Sequence, residues 1–421
     1  MPRATNLIEA YNNFVVEPLK SPEEFEDFYV ERPRGAPSPI EELKDRIENA
    51  KGPKKYLFLG FRGCGKSTEL NRLSSLIDTN RFIIISYSIR EELDVGDFDF
   101  RDFFVSMALK IYDAAEREEI ELQPDVQADF REFMMRITKV TEEDVTKSRE
   151  AGIAFSKFFH FKLGREAKTR ELIRKELETR ISDLIQKLNW LLVEVETKTT
   201  KRVVVIVDDL DKLARGEQAE NFFYKNFSLL TQPDCFVIYT FPIPLTFNPY
   251  YENVRHAFDS DIILPHFPVR TKEGQLNEAN FAFYREIVAK RMNLSLIEDG
   301  ALKEAICCTG KISEFMSAMR DGAIKAYRNE KERITEEEVE KTLEKLRRTY
   351  DRTLTEAHKT RLLDIYEKKE ARDTDSSDST TRELLFSLTA VEYGDEEGRW
   401  CDINPLLLPL VEKWKQAHEL T

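Results

Sequence analysis

The sequence predicts an α/β protein: a parallel sheet with a helical insertion, then a helical lid and a small winged-helix-like end. Three observations carry that prediction. Short, nearly continuous apolar runs rich in β-branched residues recur through the first 270 residues, as in strands buried on both faces. Helix-periodic segments separate these runs, the alternation that builds a parallel sheet. Beyond them the pattern is helical to about residue 370, and residues 382–421 read as helix, hairpin and helix.

Residues 1–53 are a lead-in. The core, 54–270, opens with KKYLFLGFRGCGKSTELNRLSSLI, which reads as strand, glycine-rich turn and helix, with Leu70, Leu73 and Leu76 at helical spacing. Further strands are expected at Phe82–Ser88, Val203–Val207, Phe236–Thr240 and Ile262–Leu264. An amphipathic helix spans 99–118, with Phe103, Phe104, Met107, Leu109 and Ile111 facing inward. Residues of about 120–200 form the helical insertion, ending in one long charged helix near Arg170–Glu196. The lid, 271–370, contains a capping box in which Thr335 starts a helix and Glu338 follows three residues later. Ala371–Thr381 is polar and reads as a linker. The end module comprises a helix at Arg382–Leu388, strands at Thr389–Tyr393 and Arg399–Ile403 joined by Gly394–Gly398, and a last helix.

A chain of 421 residues is long enough for two or three domains with real cores. With 15 glycines and 16 prolines it is neither collagen-like nor of low complexity. Its 64 basic and 78 acidic residues give a formal charge of -14, which disfavours a surface built as a whole to hold nucleic acid. Residues 147–180 are the exception, with ten Lys/Arg against five Glu. Such a stretch is either a solvated helix face with i,i+4 ion pairs or a surface for a partner or a nucleic-acid backbone. Residues 380–421, with four Lys/Arg against eight Asp/Glu, argue against strong phosphate contact by the end module. Cys64, Cys235, Cys307, Cys308 and Cys401 lack C-x-x-C spacing and do not cluster with the five histidines, so neither zinc nor a disulfide framework is expected. The N-terminus lacks the apolar core of a secretory signal, and no stretch is long enough to cross a bilayer. The expectation is a soluble cytoplasmic protein without a membrane partner.

Residues 60–67, GFRGCGKS, match G-x-x-x-x-G-K-[ST], with Thr68 following. The motif lies between an expected strand and an expected helix, the context its chemistry requires. Gly60, Gly63 and Gly65 allow a tight wrap in which the amides of the loop, through Phe61, Arg62 and Cys64, turn toward phosphates at the positive end of the next helix. Lys66 is expected on the β- and γ-phosphates and Ser67 on magnesium, so the cofactors implied are ATP and Mg2+.

A second element fits the first. VVVIVDDLD at 203–211 is a buried strand ending in acids, which makes Asp208 the candidate magnesium ligand and Asp209 the candidate for polarising an attacking water. Asp211 caps the following turn or serves the metal. Thr240, polar after an apolar run, either reports on the phosphates or is a satisfied strand-end threonine. Arg255, in a helix-like segment before the fifth strand, either reaches the γ-phosphate of a neighbouring subunit or is a surface arginine beside Asp259.

With these pieces placed, the chain resembles the AAA+ superfamily of P-loop NTPases, and more narrowly its bacterial signal-transducing (STAND) and initiator-like branches. That resemblance implies a sensor at Thr240, adenine contacts from the lead-in at Tyr29 and Val30 near Arg32, and self-assembly or an effector-protein partner. It also implies an ATPase, slow or partner-activated, in a setting such as anti-phage defence. In the lid, relatives carry a glycine-rich turn whose arginine senses the nucleotide. The matching stretch here is Gly310-Lys311-Ile312-Ser313-Glu314-Phe315, with Ser313 at the arginine's place and Lys311 or Arg320 as substitutes. The KAP group of P-loop ATPases shares the DDLD strand and often inserts membrane helices between the two motifs; the insertion here is charged throughout, against a membrane-embedded version. Two other functions stand beside the switch: a DNA-associated initiator or loader, and a nucleotide-binding scaffold that does not hydrolyse.

Overall fold

A computed structural model describes residues 2–33, 38–213, 215–371, 379–395 and 398–419. Its elements begin with α1 (Leu7–Asn13), α2 (Pro22–Phe28), α3 (Pro39–Glu48), β1 (Lys55–Leu59), α4 (Lys66–Leu76), β2 (Phe82–Ser88) and the short α5 (Ile89–Glu92). α6 (Phe100–Arg117) leads into α7 (Pro124–Thr138), α8 (Glu142–Glu150), α9 (Phe155–Arg165), α10 (Ala167–Leu177) and α11 (Ile181–Thr199). β3 (Arg202–Asp208), α12 (Arg215–Leu230), β4 (Phe236–Phe241), α13 (Tyr251–Ala257) and β5 (Ser260–Ile263) complete the α/β part. Then come α14 (Glu278–Arg291), α15 (Asp299–Cys308), α16 (Ile312–Arg328), α17 (Glu336–Asp351), α18 (Glu356–Lys368), α19 (Thr380–Phe386), β6 (Ala390–Asp395), β7 (Gly398–Ile403) and α20 (Val411–Glu419).

The chain folds as two compact units, Ile40–Leu59 with Leu73–Ile262, and Met1–Pro39 with Gly60–Arg72 and Ile263–Thr421. The first contains the sheet, in the order β2-β3-β4-β1-β5, with parallel pairing of β2 to β3, β3 to β4 and β4 to β1. β1 and β4 are buried at every residue and β3 at all but its ends, which is why their sequences are unbroken apolar runs. β2 lies at an edge and exposes Ser86. Phe103 of α6 packs edge-on against Phe222 of α12, ring centroids 5.1 Å apart, so the expected inward face of that helix is buried.

The insertion is five helices, and the single long helix expected near Arg170–Glu196 is two. α10 stops at Leu177, Arg180 leaves helical geometry at φ -128° and ψ 20°, and α11 restarts at Ile181. No glycine or proline punctuates KELETRIS, so periodicity reads straight through the break.

In the second unit α1, α14, α15, α16 and α17 share one apolar core, with Phe14, Tyr284, Phe315, Met319 and Leu343 at its centre. The Glu338 carboxylate accepts the Thr335 N–H at 3.2 Å, closing the expected turn at the start of α17. α18 packs on α19, β7 and α20. The Cys401 N–H donates to the Lys369 carbonyl at 2.9 Å, and Lys369 pairs with Asp402 at 2.7 Å. The helix at 356–368, at the end of the expected lid, thus packs directly on the hairpin module. β6 and β7 are antiparallel with Tyr393 opposite Trp400. Of the expected linker, residues 372–378 lie outside the described residues, as do 396–397 of the hairpin connection. Among the described residues no helix is long and apolar enough to cross a membrane.

Candidate functional site

The glycine-rich loop follows β1 directly and enters α4 at Lys66. Gly63 and Gly65 have φ of 79° and 97°, the left-handed region that favours glycine. The surroundings of Gly63 leave no room for a side chain, and those of Gly65 leave little. A Cβ on Gly63 would overlap the Ser313 side chain, and one on Gly65 would lie 3.2 Å from Nη2 of Arg32. The Lys66 ammonium is buried and donates to the Gly60 and Phe61 carbonyls at 2.8 Å each, so the charge sits inside the curve of the loop. Phe61 and Cys64 are buried, whereas Arg62 and Ser67 are half-buried. The Thr68 hydroxyl accepts the Leu19 N–H at 3.3 Å, a contact that ties the lead-in to the loop.

Arg32 is a site residue whose role residue type alone does not reveal. Its guanidinium donates to the Cys64 carbonyl at 2.8 Å, to Glu69 at 2.8 Å and to the Pro265 carbonyl at 3.2 Å, and it lies 5.1 Å from the Phe267 ring centroid. The signal that points to it is Glu69, a carboxylate in the first turn of the helix after the loop that needs a buried cation to pair with. Tyr29 and Val30, expected against adenine, are engaged within the protein. The Tyr29 hydroxyl donates to Glu69 at 3.3 Å and accepts from Arg72 at 2.7 Å, and the Arg72 guanidinium stacks 4.6 Å from the ring. Burial, followed by the Glu69 charge, pushes the Tyr29 hydroxyl pKa well up. Val30 is buried in the core shared by α1 and the lid helices.

Ser313, at the place of the absent arginine, still touches the loop: its N–H donates to the Gly63 carbonyl at 3.1 Å. Of the two suggested substitutes, Lys311 also lies beside the loop, its Cδ 3.3 Å from where a Cβ on Gly63 would stand, and both are held by other side chains. Lys311 pairs with Glu314 at 3.3 Å and donates to Tyr350 at 3.3 Å. Arg320 donates to the Tyr11 hydroxyl at 3.0 Å and stacks on its ring. His266 is bonded through Nε2 to the Gly310 carbonyl. Burial, then the charges of Arg32, Lys311 and Lys66, bring its pKa down to about 3, so the imidazole is neutral.

The acidic end of β3 belongs to the sheet unit. Asp208, Asp209 and Asp211 bring one carboxylate oxygen each to within 4.8 Å of one another. An Asp208 oxygen accepts the Asp209 N–H at 2.7 Å. Asp209 has φ of 68°, accepts the Ser88 hydroxyl at 2.6 Å and is paired with Lys212. Burial alone would raise its carboxyl pKa, but the hydrogen bonds from Lys212 and Ser88 and the charges of Lys212 and Arg90 outweigh it and lower the pKa. Asp209 is therefore an ionised, tethered carboxylate and a weak base.

Thr240 is fully buried and its hydroxyl serves the backbone. It accepts the Leu210 N–H at 2.9 Å and donates to the Val207 carbonyl at 3.3 Å. In this arrangement the hydroxyl braces β4 against the turn carrying Asp209, as a satisfied strand-end threonine does. Arg255 is exposed on α13 and pairs with Glu252 at 3.3 Å. Its expected neighbour Asp259 instead pairs with Lys54 at 2.7 Å and accepts the Lys55 N–H.

The basic stretch 147–180 is partly internal. Arg170 pairs with Asp97 at 2.9 Å, and Arg174 pairs with Asp97 and Asp102, so both clamp α10 to the start of α6. Lys147 and Lys162 pair with Glu143 and Glu166 one turn away. Lys147 and Lys162 thus fit a solvated face with one-turn ion pairs, and the two arginines are cross-links.

Residues 59–239 match the KAP family P-loop domain. No curated protein matches the chain. Among solved structures, the Aeropyrum pernix ORC1 protein in complex with DNA is similar at 12% identity and a TM-score of 0.41, covering 96% of this chain and 97% of that one. The Thermotoga maritima RuvB Holliday junction branch migration motor is similar at 15% identity and a TM-score of 0.35, covering 91% and 94%. Drosophila ORC bound to DNA gives 11% identity and a TM-score of 0.37 over 97% and 95%. The five-stranded sheet with its helices is a P-loop NTPase fold.

Proposed function

We propose that the protein is an ATP-binding switch that hydrolyses ATP slowly and acts through assembly with itself or with an effector protein. The observation that carries this reading is the loop at 60–68, whose left-handed glycines and buried Lys66 suit the polyphosphate of a nucleotide. Bound magnesium neutralises phosphate charge in such sites. Ser67 and Asp208 are the residues proposed to hold it, and the close carboxylates at the end of β3 form the all-oxygen set that this hard cation takes. Lys66 would hold the β- and γ-phosphates, and Asp209 would orient water once Lys212 releases it. An exposed Arg255 suits a contribution to a neighbouring subunit's site. The AAA+, signal-transducing character, the cytoplasmic setting and a part in bacterial anti-phage defence belong to the same reading and rest on the resemblance stated above.

One observation favours a second reading, a nucleotide-binding scaffold that does not hydrolyse: Asp209 is bound to Ser88 and Lys212. Phosphate release distinguishes the two. Wild type should release phosphate from ATP above the level of Lys66→Ala, with Asp209→Ala reduced at least tenfold, the scale of a lost general base. Wild-type release no higher than that of Lys66→Ala would leave only the scaffold. The internal pairing of Arg170 and Arg174 and the acidic end module give the DNA-loader reading no comparable support.

A further inference from the structure

The turn between α15 and α16 meets the phosphate loop at one end and the hairpin module at the other. At the loop end, the Ser313 N–H holds the Gly63 carbonyl at 3.1 Å, and the Ser313 side chain fills the space beside Gly63. A carbonyl fixed in this way keeps Gly63 in its left-handed conformation, which the loop needs if its amides are to face a ligand. Three residues earlier, Gly310 is packed so closely on Asn404 that a Cβ there would lie 2.5 Å from the Asn404 amide oxygen. Asn404 joins β7 to the following helical turn, donates to the Leu388 carbonyl at 3.0 Å, and caps that turn through the Leu406 N–H.

Glu314 connects the two ends. It is 5% exposed, and its carboxylate gathers the Gly310 N–H at 3.1 Å, the Asn404 side-chain amide at 3.4 Å and the Tyr350 hydroxyl. The neutral His266 adds a second strut: it is bonded to the Gly310 carbonyl, with its ring 5.6 Å from that of Tyr393 on β6. A buried carboxylate whose donors come from α17, the hairpin module and its own turn has one satisfied arrangement, and losing any donor is costly. The position of the module and the conformation of residues 310–313 are then set together.

We propose that Glu314 is a positioning residue that couples the phosphate loop to the C-terminal hairpin module, so that a docked module organises the loop and a bound nucleotide tightens the module. The coupling is positive and reciprocal. It rests on the reading of residues 60–68 as an ATP site and supplies that switch with its route of regulation: a partner that docks or displaces the module would raise or lower nucleotide affinity.

Two full-length variants test it. Gly310→Ala drives a methyl group into Asn404, and Tyr350→Phe removes one donor from Glu314 with little change of shape. ATP affinity and amide exchange across residues 398–404, with and without ATP, are measured for both and for wild type. In wild type, ATP should slow exchange at 398–404. In both variants that slowing should shrink and ATP affinity fall by about fivefold or more, the low end of common coupling strengths. If Gly310→Ala does not fold, Tyr350→Phe alone decides. Wild type that binds ATP with no change in exchange at 398–404, or folded variants with unchanged affinity and unchanged slowing, would overturn the coupling while leaving the ATP site standing. Wild type that binds no ATP would overturn the reading beneath it.

Discussion

Thr240 shows what a single position in this sequence does and does not reveal. Its place at the end of an apolar run is legible, but whether the hydroxyl meets a ligand or the neighbouring backbone depends on the turn after β3, where Asp209 adopts a left-handed conformation that spacing does not encode. Thr240→Val should leave the Leu210 N–H buried without its acceptor and cost about 1–3 kcal/mol in denaturant unfolding, with Thr240→Ser recovering most of it. Unchanged stability in Thr240→Val together with lost ATP turnover would assign the hydroxyl to the phosphates instead. The loop geometry, with Gly63 and Gly65 left-handed and Lys66 buried, was legible because the motif ties these residue types to fixed spacing. Arg32, Glu314 and Asn404 were not, since each acts through partners far away in the chain.

Helix starts were easier to read than helix breaks. The start of α17 follows from Thr335 and Glu338, whose hydrogen bond lies within one turn. The gap between α10 and α11 follows from how the insertion packs and has no local signal. The α17 cap also carries a pH dependence. Burial would raise the Glu338 pKa, but hydrogen bonds from Lys331, Thr335 and Asn329 outweigh it and bring the carboxyl down to about 2. A depressed acid stabilises fully above its unfolded value of 4.5, and that contribution is lost as the pH falls toward 2. Glu338→Gln should therefore cost about 1 kcal/mol at neutral pH, as lost helix caps do, and the deficit should close on acidification. Thermal melts of both proteins from neutral to acid pH measure this; a deficit that stays constant would mean the carboxylate charge contributes nothing.

At the scale of the molecule, the α/β class, the strand positions and the helical lid follow from apolar patterning, because burial on both faces writes itself into contiguous residues. The division into units does not, because Gly60–Arg72 groups with the lead-in, lid and end module instead of with the strand it follows. Charge was informative only in part. The ten cations of 147–180 count equally in a sum, yet Arg170 and Arg174 are internal clamps. The central claim is that residues 60–68 hold ATP. Calorimetric titration of the full chain with ATP and magnesium tests it most directly, with Lys66→Ala as the comparison. The account predicts saturable one-site binding by wild type and a loss of at least tenfold in a Lys66→Ala protein that melts like wild type, consistent with removal of a charge-assisted phosphate contact. Equal affinity in the two proteins would contradict it.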